Sequence, residues 1–208
     1  MTRSTVVAAL LVPAAISLAG QTSQQAATTP PPAMTNRWSA DPAHSAINFR
    51  VRHLGITWVN GTFGQWTADL NYDPSKPEAA SVTAHIQTAS VTTGNDRRDN
   101  DLRQNYLAVD SFPEMTFVSK RVEKVAPDKL RISGDLTMRG VTRPVVLDAD
   151  MGGVLTTSRG RRTAFSATTT IKRQDYGITR NGFMEGAQIV GDEVRITIDV
   201  EATERATP

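Results

Sequence analysis

From Ile47 to Val200, apolar side chains recur on alternate positions. Ile47, Phe49 and Val51 alternate with Asn48, Arg50 and Arg52. Trp66, Ala68, Leu70 and Tyr72 alternate with Thr67, Asp69 and Asn71. The same one-sided pattern returns over residues 82–86, 115–119, 130–138, 145–151, 164–171 and 194–200. A period of two predicts strands with one face buried and the other wet. Turn signals such as Asp73-Pro74 punctuate them. The spacing therefore predicts about eight strands. It breaks at 95–106, where Leu102 and Tyr106 lie four apart among charges, which predicts a short helix. Residues 54–59 read as a second short turn. Strands of this kind form a sandwich or a closed barrel, and closure removes hazardous edges. An eight-stranded barrel also has room inside for one small ligand. The periodicity does not choose between the two.

The flanks differ in character. Arg3 precedes an apolar run from Val6 to Leu18, with small residues at Ser17 and Ala19. This predicts a secretory signal peptide over 1–19. Gln21 stands where a lipid-anchored protein carries cysteine, so no lipid anchor is expected. Residues 20–36 contain Pro30-Pro31-Pro32 and only Met34 among large apolar side chains, which predicts a disordered linker. The strand-forming domain is expected to span 37–204.

Composition narrows the chemistry. The 208 residues contain no cysteine, which excludes disulfides and thiolate chemistry. A net charge of +2 argues against nucleic-acid binding, which needs a concentrated basic surface. No stretch is long and apolar enough for a transmembrane helix. His44, His53 and His85 lack metal-ligand spacing, and no metal is expected. Asp41, His44 and Ser45 have the residue types of a hydrolytic triad but crowd into five positions, which suits a capped turn. There is no nucleophile elbow, dinucleotide fingerprint or phosphate loop, and no cofactor is expected. Arg97, Arg98, Asp99 and Asp101 form a charged cluster, read either as a solvated helix face or as a polar rim.

Longer strings go further. Asp41-Pro42-Ala43-His44-Ser45, then His53-Leu54-Gly55 and Gly61-Thr62-Phe63, resemble the opening of the YceI-like, polyisoprenoid-binding family. Arg98-Asp99 with Leu102 resembles its helical motif. Phe112-Pro113, the run from Gly134 to Val145, Arg173-Gln174-Asp175-Tyr176-Gly177-Ile178 and Val190-Gly191-Asp192-Glu193-Val194 continue in order. The likeness covers 38–202. Two positions depart from it: Asp101 stands where the family usually has histidine, and Tyr176 where phenylalanine is common.

The resemblance implies an all-β fold, an extended eight-stranded antiparallel barrel of lipocalin-like shape with one or two short helices. It implies a lumen holding an isoprenoid or other long-chain lipid, a periplasmic location and, in many members, a homodimer. On that reading Phe49, Val51, Trp66, Leu70, Ile86, Phe117, Leu136, Phe165 and Ile198 line the lumen. Trp58 and Phe63 form a lid. Arg98 and Arg173 sit at the rim and favour a phosphate or quinone head. Storage, shielding or transport of the lipid is the expected role, and the chain is not expected to be an enzyme. The alternatives are an adaptor or stress-response module with structural lipid, and a lipid-acting enzyme using His44 or Asp99 as acid or base.

Overall fold

The computed structural model describes residues 36–181, 183, 184 and 187–205. The predicted signal peptide, and the predicted linker apart from Asn36, lie outside the described residues.

The alternating segments close into a single antiparallel barrel. Its eight strands include three that are broken by a kink. β1 comprises Arg37–Ala40 and Ala46–His53, and β2 comprises Thr57–Phe63 and Trp66–Asn71. β3 comprises Ser81–Gln87 and Val91–Thr92. β4 (Glu114–Ala126), β5 (Lys129–Met138), β6 (Val141–Thr157), β7 (Gly160–Lys172) and β8 (Val190–Glu204) follow. Each strand pairs with the next, and β8 closes the ring by pairing with both halves of β1. The break in β1 is a one-turn 3-10 segment, Pro42–His44, capped by the Asp41 side chain on the Ala43 N–H. Such breaks let one strand bend around the wall without losing its partners. The β5–β6 connection is a tight hairpin in which Arg139 and Gly140 both have positive φ, 51° and 72°. That geometry matches the twist of the flanking strands.

The predicted count of eight stands, and each predicted strand lies within one strand of the barrel. The turn predicted over 54–59 needs correction, because β2 already begins at Thr57. In β2, Val59 and Phe63 face inward and Trp58 faces out, and the inward position between them is Gly61, whose missing side chain hides the alternation. The predicted helix at 95–106 is α1 (Asp96–Asp101) followed by one wider π-helical turn, Leu102–Leu107. Asn95 caps it, its side-chain oxygen accepting from the Arg98 N–H at 3.0 Å. Ala108, at φ 51°, ends it.

One end of the barrel is filled. Trp38 and Ala202 are wholly buried there with Tyr72, and Phe165 meets the Tyr72 ring edge-on at 5.0 Å. The Trp38 indole N–H donates to the Tyr72 carbonyl at 2.8 Å. The Arg161 guanidinium covers the outer side of the Trp38 ring at 5.3 Å. At the other end lie α1, the β1–β2 turn and the segment between β7 and β8.

Candidate functional site

The inward positions enclose a cavity of about 490 Å³. Ordinary ligand pockets span roughly 300–1,000 Å³. Its wall is apolar along the whole barrel: Phe49, Val51, Trp66, Leu70, Ile86, Phe117, Leu136, Phe165 and Ile198 all line it. Phe63 lines it too, its ring 5.5 Å from that of Phe49. Apart from Thr169 on β7, polar side chains gather at the two ends. Arg52, His53, Thr93, Arg98, Asp101 and Arg173 lie at the mouth beside α1, and Asn71, Tyr72 and Ser81 at the filled end.

Two aromatic rings lie flat on glycines in this wall. A Cβ on Gly61 would fall 2.7 Å from Phe49 Cε1 and nearer still to Cζ. A Cβ on Gly134 would fall 2.6 Å from Phe117 Cζ and 2.5 Å from the Val118 carbonyl. The glycines are pits that accept the rings, so the rings hug the wall and leave the centre of the barrel open.

Leu102, Tyr106 and Leu107 roof the cavity from the π-helical turn. Sequence reasoning marked Leu102 and Tyr106 as a helical pair but did not place them at the site. Their four-residue spacing above an apolar barrel was the available signal. Val194 and Ile196 also line the cavity, and the same alternation that marks Ile198 contains them.

Three expected positions need correction. Phe63 is part of the cavity wall on β2 rather than a lid. Trp58 forms no lid. It lies on the outer face, where Arg50, Arg52 and Arg195 stack on its ring at 4.8, 4.1 and 4.9 Å. Arg173 borders the cavity but does not present its charge at a rim. It is 3% exposed, and its guanidinium donates to the carbonyls of Gly191, Ile178, Arg180 and Val190. Four of its five N–H groups are thus spent on holding the chain that leads into β8. Arg98 does stand exposed at the mouth, its Nε donating to Thr93 Oγ1 at 2.7 Å.

The groups considered for acid–base chemistry are elsewhere. Asp99 is 3% exposed and does not line the cavity. Its carboxylate accepts from Thr92 Oγ1 at 2.9 Å, Thr93 N–H at 2.8 Å and Thr93 Oγ1 at 2.5 Å. Burial alone would raise its pKa, but the threonine hydrogen bonds and the Arg103 charge outweigh that and hold it below the ordinary value. His44 is on the outer wall, its Nδ1 3.1 Å from Asp41 Oδ2. That hydrogen bond and the Ala43 N–H keep the Asp41 carboxyl below its usual range. Ser45 Oγ is engaged with both backbone groups of Glu201, so the three residues form no triad. Asp41, His44 and Glu201 do bring their ligand atoms within 4.8 Å of one another, but the Arg162 guanidinium already bridges Asp41 and Glu201. The cluster is an ion-paired clasp across the β1–β8 seam.

Comparison with known proteins agrees with this geometry. Residues 38–202 match the family model for the YceI-like domain. Protein YceI of Salmonella arizonae is 38% identical over 164 residues, which cover 78% of this chain and 83% of that protein. The crystal structure of Burkholderia cenocepacia BcnA superposes with a TM-score of 0.71 at 22% identity, covering 79% of this chain and 99% of that one. A polyisoprenoid binding domain from Saccharophagus degradans superposes with a TM-score of 0.62 at 16% identity, covering 83% and 99%.

Proposed function

The chain belongs to the YceI-like family, and on that premise we propose that it holds a polyisoprenoid or similar long-chain lipid in the barrel lumen. The observation that carries this reading is the apolar wall running the length of the barrel, broken only by Thr169, with charged side chains confined to the mouth. That is the polarity of a chain with one polar terminus. The likeness to the polyisoprenoid binding domain from Saccharophagus degradans adds support. The signal-like stretch Arg3 to Ala19 extends the reading to an exported, periplasmic protein that stores, shields or carries its lipid.

The energetics suit a carrier. Burying one methylene is worth about 0.8 kcal/mol against water. Naive addition along an isoprenoid chain would pass the ceiling of roughly 18–21 kcal/mol for non-covalent affinity. Such a lipid is never free in water, however. Its competitor is a bilayer, as apolar as the lumen. Net affinity is therefore a small difference, and release stays within reach.

The test is native mass spectrometry of the protein purified from its own cells, followed by organic extraction and lipid identification. A stoichiometric adduct that extracts as a polyprenyl compound supports the proposal. A fatty acid or amide would keep the binding role and replace the cargo. A protein that arrives empty and takes up no offered long-chain lipid overturns it.

A further inference from the structure

Three guanidiniums converge on one indole on the outer wall of the barrel. Arg52 lies 4.1 Å from the centre of the Trp58 ring, Arg50 4.8 Å and Arg195 4.9 Å. Arg50 and Arg195 are also directly opposite each other in the β1–β8 register. Like charges in that position weaken a sheet. No carboxylate among the described residues forms an ion pair with any of the three. The nearest acidic positions along β8 are otherwise placed: Glu193 faces Lys172 across the sheet, Asp192 accepts from the Gln174 N–H, and Asp199 accepts from Ser166 Oγ. The three charges thus rest on the Trp58 ring, with the Ile56 carbonyl accepting from Arg52 at 3.3 Å, and have no carboxylate partner within the described residues.

Its position is as telling as its charge. Trp58 follows the β1–β2 turn, where Ile56 is 80% exposed at the tip. Arg52 and His53, on the strand that leads into that turn, line the mouth of the lumen, and Arg98 stands on the same rim. An exposed branched apolar tip, an indole level with Arg52 behind it, and the Arg50–Arg195 pair one step further back is the order in which a bilayer interface receives side chains. The tip meets the acyl boundary, the indole the interfacial layer and the guanidiniums the phosphates. An acidic protein surface would satisfy the arginines and leave Ile56 without a use.

We propose that the β1–β2 hairpin, through Ile56, Trp58, Arg50 and Arg52, together with Arg195 of β8, docks the mouth of the barrel onto an anionic phospholipid bilayer. This rests on the lumen reading for its purpose, since a docked mouth lets cargo pass between bilayer and barrel without crossing water. Docking itself is measured without reference to cargo.

The experiment is flotation of the full chain with vesicles of phosphatidylcholine alone or mixed with phosphatidylglycerol. The wild type is expected on the anionic vesicles only, and to leave them as salt rises. Each arginine near a surface contributes about fivefold to partitioning, so Arg50→Gln with Arg195→Gln is expected to lower it roughly 25-fold at low salt. Ile56→Asp, which leaves the arginines in place, is expected to weaken binding as well. Unchanged thermal midpoints show that the variants fold. Equal binding to both vesicle types, or arginine variants that bind like the wild type, overturn the proposal. So does the pattern in which Ile56→Asp binds normally and the arginine variants lose soluble polyglutamate as readily as vesicles, because that marks a site for acidic protein. Native mass spectra of the same samples separate the two readings. A filled lumen without vesicle binding removes docking alone, and vesicle binding with an empty lumen removes the cargo alone.

Discussion

Replacing Gly61 by alanine tests the idea that glycine pits keep the lumen open. The new methyl would fall 2.7 Å from Phe49 Cε1, well inside van der Waals contact. The three nearest atoms it would meet all belong to the Phe49 ring. The strand can therefore stay while the ring swings away from the wall, into the lumen or against Phe63, 5.5 Å away. Overpacking of this kind costs about 1–3 kcal/mol. Against it stands the gain from removing a glycine from a strand, roughly 0.5–1 kcal/mol. Gly61→Ala should therefore lose about 1–2 kcal/mol net by these two magnitudes. Shortening the ring by Phe49→Leu removes the clash, so the pair should be coupled by about 1–2 kcal/mol in a double-mutant cycle. Denaturant unfolding of the four proteins measures this. A long-chain fluorescent probe should bind more weakly to Gly61→Ala and recover in the double variant. Gly134→Ala is the control: its Cβ would also meet the Val118 carbonyl at 2.5 Å, so shortening Phe117 should not rescue it. Additive free energies at Gly61 and Phe49, within about 0.5 kcal/mol, would refute the pit argument.

Three further outcomes are expected. The hydrogen-bonded Asp99 carboxylate, held below its unfolded value of 3.8, supplies stability above that pH and loses it as pH falls through the folded value. The stability gap between the wild type and Asp99→Asn should accordingly narrow from pH 6 to pH 3 (on the order of these values), and a constant gap in denaturant midpoints would contradict the assignment. Burial, reinforced by Asp175 and opposed by Arg143, pushes the Tyr176 phenol up to about 12. The stability it contributes is whole below its unfolded value of 10.0 and is lost as pH climbs to about 12, so the advantage of the wild type over Tyr176→Phe should shrink across that window in alkaline melts. Arg173→Lys cannot reach four carbonyls from one ammonium and should cost about 1–3 kcal/mol, with hydrogen-exchange protection lost first between Ile178 and Gly191.

Much of the barrel was legible because its wall is a strict inside–outside alternation, and Phe49, Leu70, Leu136 and Ile198 announce themselves by period alone. The start of β2 was not, because Gly61 occupies an inward position without a side chain and Trp58 puts an aromatic ring outward. Both invert the usual reading of which residues are apolar, and both have reasons that only the third dimension supplies. Gly61 makes room for a ring twelve positions away on the neighbouring strand, and Trp58 is covered by arginines from two strands. Arg173 was misjudged for a related reason. A lone arginine near a cavity suggests a ligand, whereas four backbone carbonyls, spread from Ile178 to Gly191, leave no mark in composition. Closure into a barrel rather than a sandwich rests on the pairing of β8 with both halves of β1, a contact between the two ends of the domain that no local pattern encodes.

The seal made by Trp38, Tyr72 and Ala202 has a bearing on traffic. A barrel stopped at one end is a vessel, not a conduit. On the proposed carrier role, a lipid that enters tail first must back out head first through the same doorway. Net flow would then be decided outside the molecule, by how abundant the cargo is in the membrane that fills the vessel and how scarce it is in the one that empties it.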